Sequence, residues 1–436
     1  MITTATKVCK LLQDAGFEAV FAGGFVRDKV LNRPLGHDVD IATSATPDQV
    51  VSLCKSNHIQ TKEVGKSFGV VLVRVDDFEF EIATFRTESD YTDGRHPDKV
   101  EFATMEEDAQ RRDLTINAMF WDPVSDTLFD FVGGREDARN HLIRFVGSAD
   151  ERINEDKLRM LRAVRLAGKF NFKMDEVTVG AIQNHAHEIT AISAERIQQE
   201  LVKMFKTGEF VFCWNVMKGT HLLRHVLPEI DAMDDVPQSP KHHPEGDVGT
   251  HVRMVMDELS DESWILQLAA LFHDVAKPVT ISRDERGIHF FSHENVGADM
   301  TEKILKELKF STDQIDYVCA LVRDHMKIHT AVNMNKSTLR KLMAQSHFPD
   351  LLKLGWADTA ASKKDYTDLI ALRDRVVVLA QQELLPKPMI TGKTLIDLGL
   401  KPGPAFKALL DQCFDKQLET GFENQDVAME FLRSVM

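Results

Sequence analysis

The sequence predicts an α+β protein, a mixed α/β head followed by a long, essentially all-helical remainder, and three observations carry that prediction. Runs rich in Val, Ile and Phe (HDVDIAT at 37–43, GVVLVRV at 69–75, FEFEIATF at 78–85) fall before about Arg144 and read as strands. From about Asn154 such runs stop, and helical spacing takes over. Clusters of Pro, Gly, Asp and His at Asp231–Gly249, and LPKPM at Leu385–Met389, then break the helical part. The expected organisation is a head over 1–144, a helical neck over 145–230, a second helical domain over 231–384 and a tail over 385–436.

Length and composition agree with that division. At 436 residues, and with about 100 to 200 residues per domain, two to four domains are expected. Hydrophobic content of 43% with 28% charged residues excludes the disordered class. The start lacks a charged segment followed by an apolar stretch, and no apolar run is long enough to span a bilayer, so no membrane partner and a cytoplasmic location are expected. Five scattered cysteines without a CxxC pair read as reduced thiols. A formal charge of -15 argues against nonspecific nucleic-acid binding, so any RNA contact must use locally concentrated Lys and Arg.

Taken in order, Lys7–Ala15 has amphipathic spacing (Val8, Leu11, Leu12, Ala15) and predicts a helix. Ala22–Asp28 follows a short apolar strand and opens a helix. Gly23 and Gly24 permit close backbone approach, while the helix start and Arg27 favour a triphosphate; a plain Gly-Gly turn with an ion-paired Arg27 is the alternative. Asp38 and Asp40 stand two apart on a strand, so both carboxylates share a face and can hold a pair of Mg²⁺ ions, with Glu81 or Glu79 as a third ligand. A solvated strand edge is the bland reading of the same pattern. Arg111, Arg112 and Asp113 could bind phosphate and ribose, or simply cap a helix.

The helical stretches are 155–170, 194–206, 251–259, 264–276 and 313–325. On the first, Asp156 and Arg159 lie three apart and share a face, offering acceptors beside donors. They could read a base edge or form a surface pair worth a few tenths of a kcal/mol. Arg162, Arg165 and Lys169 continue a drifting basic stripe, either an RNA-facing patch or a solvated helix face.

Seven ordered segments, GGFVRD, HDVDIATSATP, FRTESDYTDGRHPDKVEF, RRDLTINAMFWDP, FVGGREDARN, NEDKLRMLRAVRLAGKFNF and SAERIQQEL, together resemble the motifs of class II tRNA nucleotidyltransferases; bacterial poly(A) polymerases share most of them. The resemblance implies a polymerase-beta-like head that uses Mg²⁺ to add CMP and AMP from CTP and ATP to tRNA 3′ ends. It assigns Gly23, Gly24 and Arg27 to the triphosphate, Asp38 and Asp40 to the metals, and Arg111, Arg112 and Asp113 to the sugar and phosphates. It makes EDxxR (Glu155–Arg159) a protein template for CTP or ATP, with Arg162 and Arg165 beside it. The polar stretch Glu88–Gln110 occupies the place of a loop that helps switch from CTP to ATP, which favours full CCA or A addition over C-only addition. Leu166 replaces the Phe of many relatives, a tolerable apolar change.

A second resemblance lies in the helical half. His251, His273, Asp274, His293, His325 and Asp358 follow the H…HD…H…H…D order of HD-superfamily phosphohydrolases. It implies a divalent metal, either a transition metal or Mg²⁺, with hydrolysis of phosphomonoesters or cyclic phosphodiesters; a regulatory metal-binding module is the alternative. His242, His243 and His289 fall outside the pattern and read as structural or peripheral. The tail, 391–418, has helices separated by LGLKPGP; family tails of this kind lie near the RNA body, and a plain packing module fits equally.

Overall fold

The computed structural model describes residues 1–36, 38–62, 69–89, 99–240, 243–362 and 365–436, and they form two compact units, Met1–Pro228 and Glu229–Met436.

Among the described residues of the first unit, nine strands appear before residue 130: β1 (Ala19–Ala22), β2 (Asp40–Thr43), β3 (Gln60–Lys62), β4 (Val70–Val75), β5 (Phe78–Thr84), β6 (Arg86–Ser89), β7 (Lys99–Phe102), β8 (Phe120–Asp122) and β9 (Thr127–Phe129). Seven of them make one sheet in the order β3-β4-β5-β2-β1-β8-β9, and β6 with β7 forms a separate antiparallel ribbon. The sheet is covered on both faces, which is why β1 reads AVFA with every residue buried. On one side the helix Ile2–Asp14 contributes Ala5, Val8, Cys9 and Leu12 to a core with Phe21, Ile41 and Ile82. On the other, Val20, Ala22 and Ala42 pack with Phe85, Met105 and Phe120.

Register decides what the sheet presents. β1 runs antiparallel to β2 with Ala22 opposite Asp40, and β2 runs parallel to β5 with Ile41 opposite Ile82. Asp40 and Glu81, each one residue earlier, therefore sit side by side at the same end of neighbouring strands. Asp38 lies just ahead of β2 rather than within it, yet the alternation persists, with Val39 buried between two exposed aspartates. β1 leads through Gly23, at φ +67°, into the helix Gly24–Val30; only glycine adopts that left-handed turn without strain.

Two sequence expectations are corrected beyond the head. Residues 155–170 are two helices, Ala149–Glu155 and Arg159–Phe170, because Asp156 is extended (φ -152°, ψ 108°). Its carboxylate accepts from the Leu158 N–H at 3.0 Å, the local Asp hydrogen bond that competes with helix continuation. Asp156 and Arg159 are thus not one helix apart in the simple i,i+3 sense.

The remainder is also not purely helical. β10 (Leu142–Ile143) pairs in parallel with β11 (Lys173–Met174), and in the second unit β12 (Ile281–Asp284) and β13 (Gly287–Phe290) form a hairpin. The polar residues of ISRDERGIHF conceal a two-residue alternation closed by Gly287 at φ +119°. The remaining second-unit framework includes helices Val248–Glu258, Trp264–Phe272, His293–Glu307, Thr312–Asp324, Phe348–Ala361 and Thr367–Ala380. Its tail helices Gly392–Asp397, Pro404–Thr420 and Gln425–Val435 close on Leu395, Cys413 and Leu432. All five cysteines are free and buried, as expected for reduced thiols. Among the described residues no helix is long and apolar enough to cross a membrane.

Candidate nucleotide and metal sites

In the first unit the turn at Gly23–Gly24, strand β2, the RRD segment and the helix Arg159–Phe170 surround a cavity of about 480 Å³. Its lining brings together Gly23, Gly24, Arg27, Asp40, Arg111, Arg112, Asp113, Asp156, Arg159, Arg162 and Arg165, eleven of the expected residues, with Asn117, Leu166 and Lys169. Seven lysines and arginines against three aspartates make it strongly cationic within a chain of net charge -15.

Protein carboxylates hold these cations in place. Buried Asp108 takes Arg111 at 2.7 Å and Arg112 at 2.9 Å; Glu200 takes Arg165 at 2.6 Å; Glu155 takes Arg159. Arg27 pairs with Asp28 at 2.9 Å and donates to Asn117 Oδ1 at 2.7 Å, with its guanidinium 4.6 Å from the Phe170 ring centre. Arg112 lies 4.7 Å from the Phe120 ring centre. Such bracing keeps planar donors rigid for an anion. Lys169 records the local excess of positive charge: burial and then Arg27, Arg165 and Arg33 lower its pKa.

Asp113 and Asp156 face this cluster differently. Burial would raise the Asp113 carboxyl, but Arg162, Arg159 and the Leu114 N–H outweigh it and hold the pKa at about 2. Asp156 accepts from Arg196 at 2.6 Å, so a residue of the helix Ala194–Phe205 fixes its orientation.

At one edge stand the three carboxylates. Burial, then Asp38 and Glu81, raise the Asp40 pKa to about 6, with Arg112 opposing. Asp40 opens to solvent on the cavity side, yet enough protein surrounds it for burial to lead. Three repelling carboxylates are a donor set that a hard divalent cation would relieve, so Asp38, Asp40 and Glu81 fit Mg²⁺. Glu79 is instead paired with Lys62 at 2.8 Å. The loop expectation attached to Glu88–Gln110 falls in large part on 90–98, outside the described residues; Met105–Gln110 is a helix.

The second unit gathers all six HD-pattern residues. His251, His273 and Asp274 form one set of converging ligand atoms, and Asp274, His293 and His325 a second, with atoms of each set within 4.8 Å of one another. Asp274 belongs to both. Asp358 lies 3.1 Å from His251 Nε2 and 2.6 Å from His329 Nε2.

Every ring is fixed by its Nδ1. His273, His293 and His325 donate Nδ1–H to the carbonyls of Ala270, Phe290 and Val322 at 2.7, 2.8 and 2.7 Å, and His251 uses Glu245 at 2.8 Å. The Nε2 atoms are left converging, 3.4 Å apart for His251 and His273 and 3.2 Å for His293 and His325. Asp274 Oδ2 is buried without a well-formed hydrogen bond, although Lys277 Nζ lies 2.7 Å away. Converging imidazole nitrogens around the Asp274 carboxylate, with Lys277 on one of its oxygens, fit one or two divalent cations.

Without a cation, carboxylates and burial pull the rings in opposite directions. Burial lowers the His251 pKa, but Asp358 and Glu245 outweigh it and raise it to about 9; His325, buried and beside His273, falls to about 3.

Sequence reasoning missed Glu245, Lys277 and His329, and set aside two residues that the fold brings to the site. His243 bonds Glu245 at 2.9 Å and lines the cavity, and His289 is carried to its rim by the hairpin, opposite Ser282. Lys277 had a signal, standing three residues after Asp274 at the end of LFHDVAKP; Glu245 had none. His242 lies outside the described residues.

Comparison with known proteins agrees with the head geometry. Residues 19–144 match the Poly A polymerase head domain, 171–234 the "Probable RNA and SrmB-binding site of polymerase A", and 281–432 tRNA nucleotidyltransferase domain 2. The chain is similar to the CCA-adding enzyme of Enterococcus faecalis, 46% identical over 201 residues (46% of this chain, 48% of that protein), and to that of Staphylococcus saprophyticus, 40% identical over 228 residues (52% and 54%). It thus spans about half the length of the curated relatives it matches. Among solved structures, the Bacillus stearothermophilus CCA-adding enzyme in complex with CTP superposes with a TM-score of 0.73 at 26% identity, covering 100% of this chain and 98% of that one. The Thermotoga maritima CCA-adding enzyme complexed with tRNA shares the fold, with a TM-score of 0.64 at 18% identity, covering 100% and 95%. Three separate stretches thus match domains of poly(A) polymerases and tRNA nucleotidyltransferases, and the chain as a whole has the fold of the CCA-adding enzymes.

Proposed function

We propose that the chain adds CMP and AMP from CTP and ATP to tRNA 3′ ends, using a head over 1–144 and a neck over 145–230. The observation that carries this reading is one cavity holding a carboxylate at the Asp38–Asp40–Glu81 edge, a braced arginine cluster, and Asp156 beside Arg159. Relatives that bear the same head are CCA-adding enzymes, and solved ones are complexed with CTP, ATP and tRNA.

In this reading Asp38, Asp40 and Glu81 hold Mg²⁺, which when bound neutralises phosphate charge and favours in-line attack by the RNA 3′ hydroxyl. The glycine turn and Arg27 seat the triphosphate; Arg111, Arg112 and Asp113 orient the sugar and phosphates. Asp156 accepts from the base edge while Arg159 donates to it, so fixed side chains take the place of a template strand. Single-nucleotide gel analysis of tRNAs ending before CCA, after C or after CC, each with CTP, ATP or both, tests it. Growth that stops after CCA and vanishes in Asp38→Ala, Asp40→Ala supports the reading; growth only from the CC end makes it an A-adding enzyme, and a long A tail a poly(A) polymerase.

A second activity, metal-dependent phosphoester hydrolysis within 231–384, is favoured by the four pinned imidazoles around Asp274 and Asp358. Removal of 2′,3′-cyclic or terminal phosphates from damaged RNA ends would prepare them for nucleotide addition. If His273→Ala, Asp274→Ala protein hydrolyses cyclic phosphates as well as the parent, the hydrolase reading fails; metal retained without phosphate release from any nucleotide would leave a regulatory module.

A further inference from the structure

The turn that carries Asp156 and Arg159 is held from behind, by side chains outside the cavity. Lys157 stands between the two in sequence, yet its Nζ turns away, donating to Asn154 Oδ1 at 2.8 Å and lying 3.0 Å from Glu188 Oε2. Asn154 belongs to the last turn of the helix Ala149–Glu155, whose end carbonyls have no partner within the helix. Lys157 reaches the Asn154 carbonyl at 3.3 Å, and Arg159 Nη1 donates to the Arg152 carbonyl at 2.9 Å. The helix end thus sets where both residues after the break begin.

The same helix is held at its start. Glu188 Oε1 lies 2.7 Å from His185 Nδ1, and His185 Nε2 lies 3.0 Å from Asp150 Oδ1, in the first turn of Ala149–Glu155. Residues 185–188, where the helix Glu176–His185 ends, therefore grip the helix before the break at both ends. Exposure ranks the links: Lys157 is 17% and Glu188 28% exposed, whereas Asp150 is 62% exposed, so solvent screens the outer link most. Burial would raise the Glu188 carboxyl, but hydrogen bonds from Lys157 and His185 outweigh it and hold its pKa below the ordinary value. Lys157, His185, Glu188 and Asp150 are not among the described residues lining the cavity, so any effect on a nucleotide there passes through the turn.

We infer that Lys157 and Glu188, with His185 behind them, are positioning residues for nucleotide choice: they fix the helix end from which Asp156 and Arg159 reach the incoming base. The inference rests on the nucleotide-addition reading above and deepens it. It is tested on the full chain by single-turnover addition to tRNAs ending before CCA and after CC, each with CTP and with ATP separately, reading the ratio of correct to incorrect incorporation efficiency beside a thermal melt. Lys157→Met and Glu188→Gln should each lower that ratio about tenfold, less than the loss attached to a full ångström of misplacement. The double variant should lose no more than either alone, because both remove one contact. Lys157→Arg, which keeps charge and reach, should retain the parent's ratio, and Asp150→Asn should change it by about twofold at most. Variants that lower the Tm and slow both nucleotides in proportion would make the contacts purely structural and overturn the inference, as would Lys157→Arg losing as much selectivity as Lys157→Met. If Lys157→Met does not fold, the isosteric Glu188→Gln decides. A parent that adds neither nucleotide removes the nucleotide-addition reading and the inference with it; a parent that selects normally, matched by Glu188→Gln, removes the inference alone.

Discussion

Arg162 grips Asp113 with two donors, Nε at 2.9 Å and Nη2 at 2.5 Å, joining the helix Arg159–Phe170 to the RRD segment of the head. The contact bridges 49 residues of sequence and shapes the cavity from both sides. Because the folded Asp113 pKa is depressed to about 2, its stabilisation is present above the usual carboxylate range and is lost as pH falls through about 4 towards 2. A double-mutant cycle of Asp113→Asn with Arg162→Gln, followed by urea unfolding at pH 7, should give a coupling of about 1–2 kcal/mol that shrinks below pH 4. A coupling near zero at pH 7 would reduce the contact to a surface pair.

Asp40 carries the opposite sign. Its pKa is raised to about 6, so the metal-free protein gains stability as pH falls from above 6 to the unfolded value near 4, and at pH 7.5 its ionised form opposes folding. Asp40→Asn should therefore raise the Tm of chelator-treated protein, by about 1 kcal/mol in stability once solvent screening of this exposed carboxylate is allowed for, while abolishing nucleotide addition and the Tm rise on adding Mg²⁺. A lower Tm in the variant would contradict the electrostatic account.

These two aspartates also show how far sequence reading reaches. The Asp38–Asp40 alternation, the Gly23 turn and the basic spacing at 159, 162, 165 and 169 depend on local periodicity, and local periodicity is visible in one sequence. The Asp156 helix break was less legible, because the two helices are each in phase and only a backbone-capturing carboxylate separates them. Pairings such as Arg165–Glu200 and Asp156–Arg196 span 35 and 40 residues and have no local signature. Glu245 was invisible for a different reason: a carboxylate in a Pro- and Gly-rich segment looks like solvent-facing charge until the fold buries it against His251.

Asp156 has two separable duties, facing the cavity and holding the turn between two helices through the Leu158 N–H. Asp156→Ala should disturb the choice between CTP and ATP and also lower stability by about 1 kcal/mol, the usual magnitude for losing one hydrogen bond. Arg196→Ala should share the stability loss with a smaller effect on nucleotide choice. Single-turnover incorporation of each nucleotide, set beside thermal melts, separates the two; identical selectivity in Asp156→Ala and parent would remove Asp156 from base reading.

Glu245 orients a ring without joining the four converging nitrogens. Glu245→Gln should weaken cation binding at the second site about 10- to 100-fold, the range found for partners that orient a metal-ligating histidine. Metal content after dialysis against graded chelator measures it, and unchanged retention would show that His251 needs no carboxylate.

The pinning of the imidazoles has an evolutionary consequence. Three of the four rings take their tautomer from a carbonyl three residues earlier, and a carbonyl is present whatever side chain occupies that position. Substitutions at Ala270, Phe290 or Val322 that preserve the backbone thus leave the tautomers intact. Only His251 depends on an inherited side chain. Selection can accordingly tune ring orientation at this centre through one side chain, Glu245, while drift at the three carbonyl positions remains chemically silent.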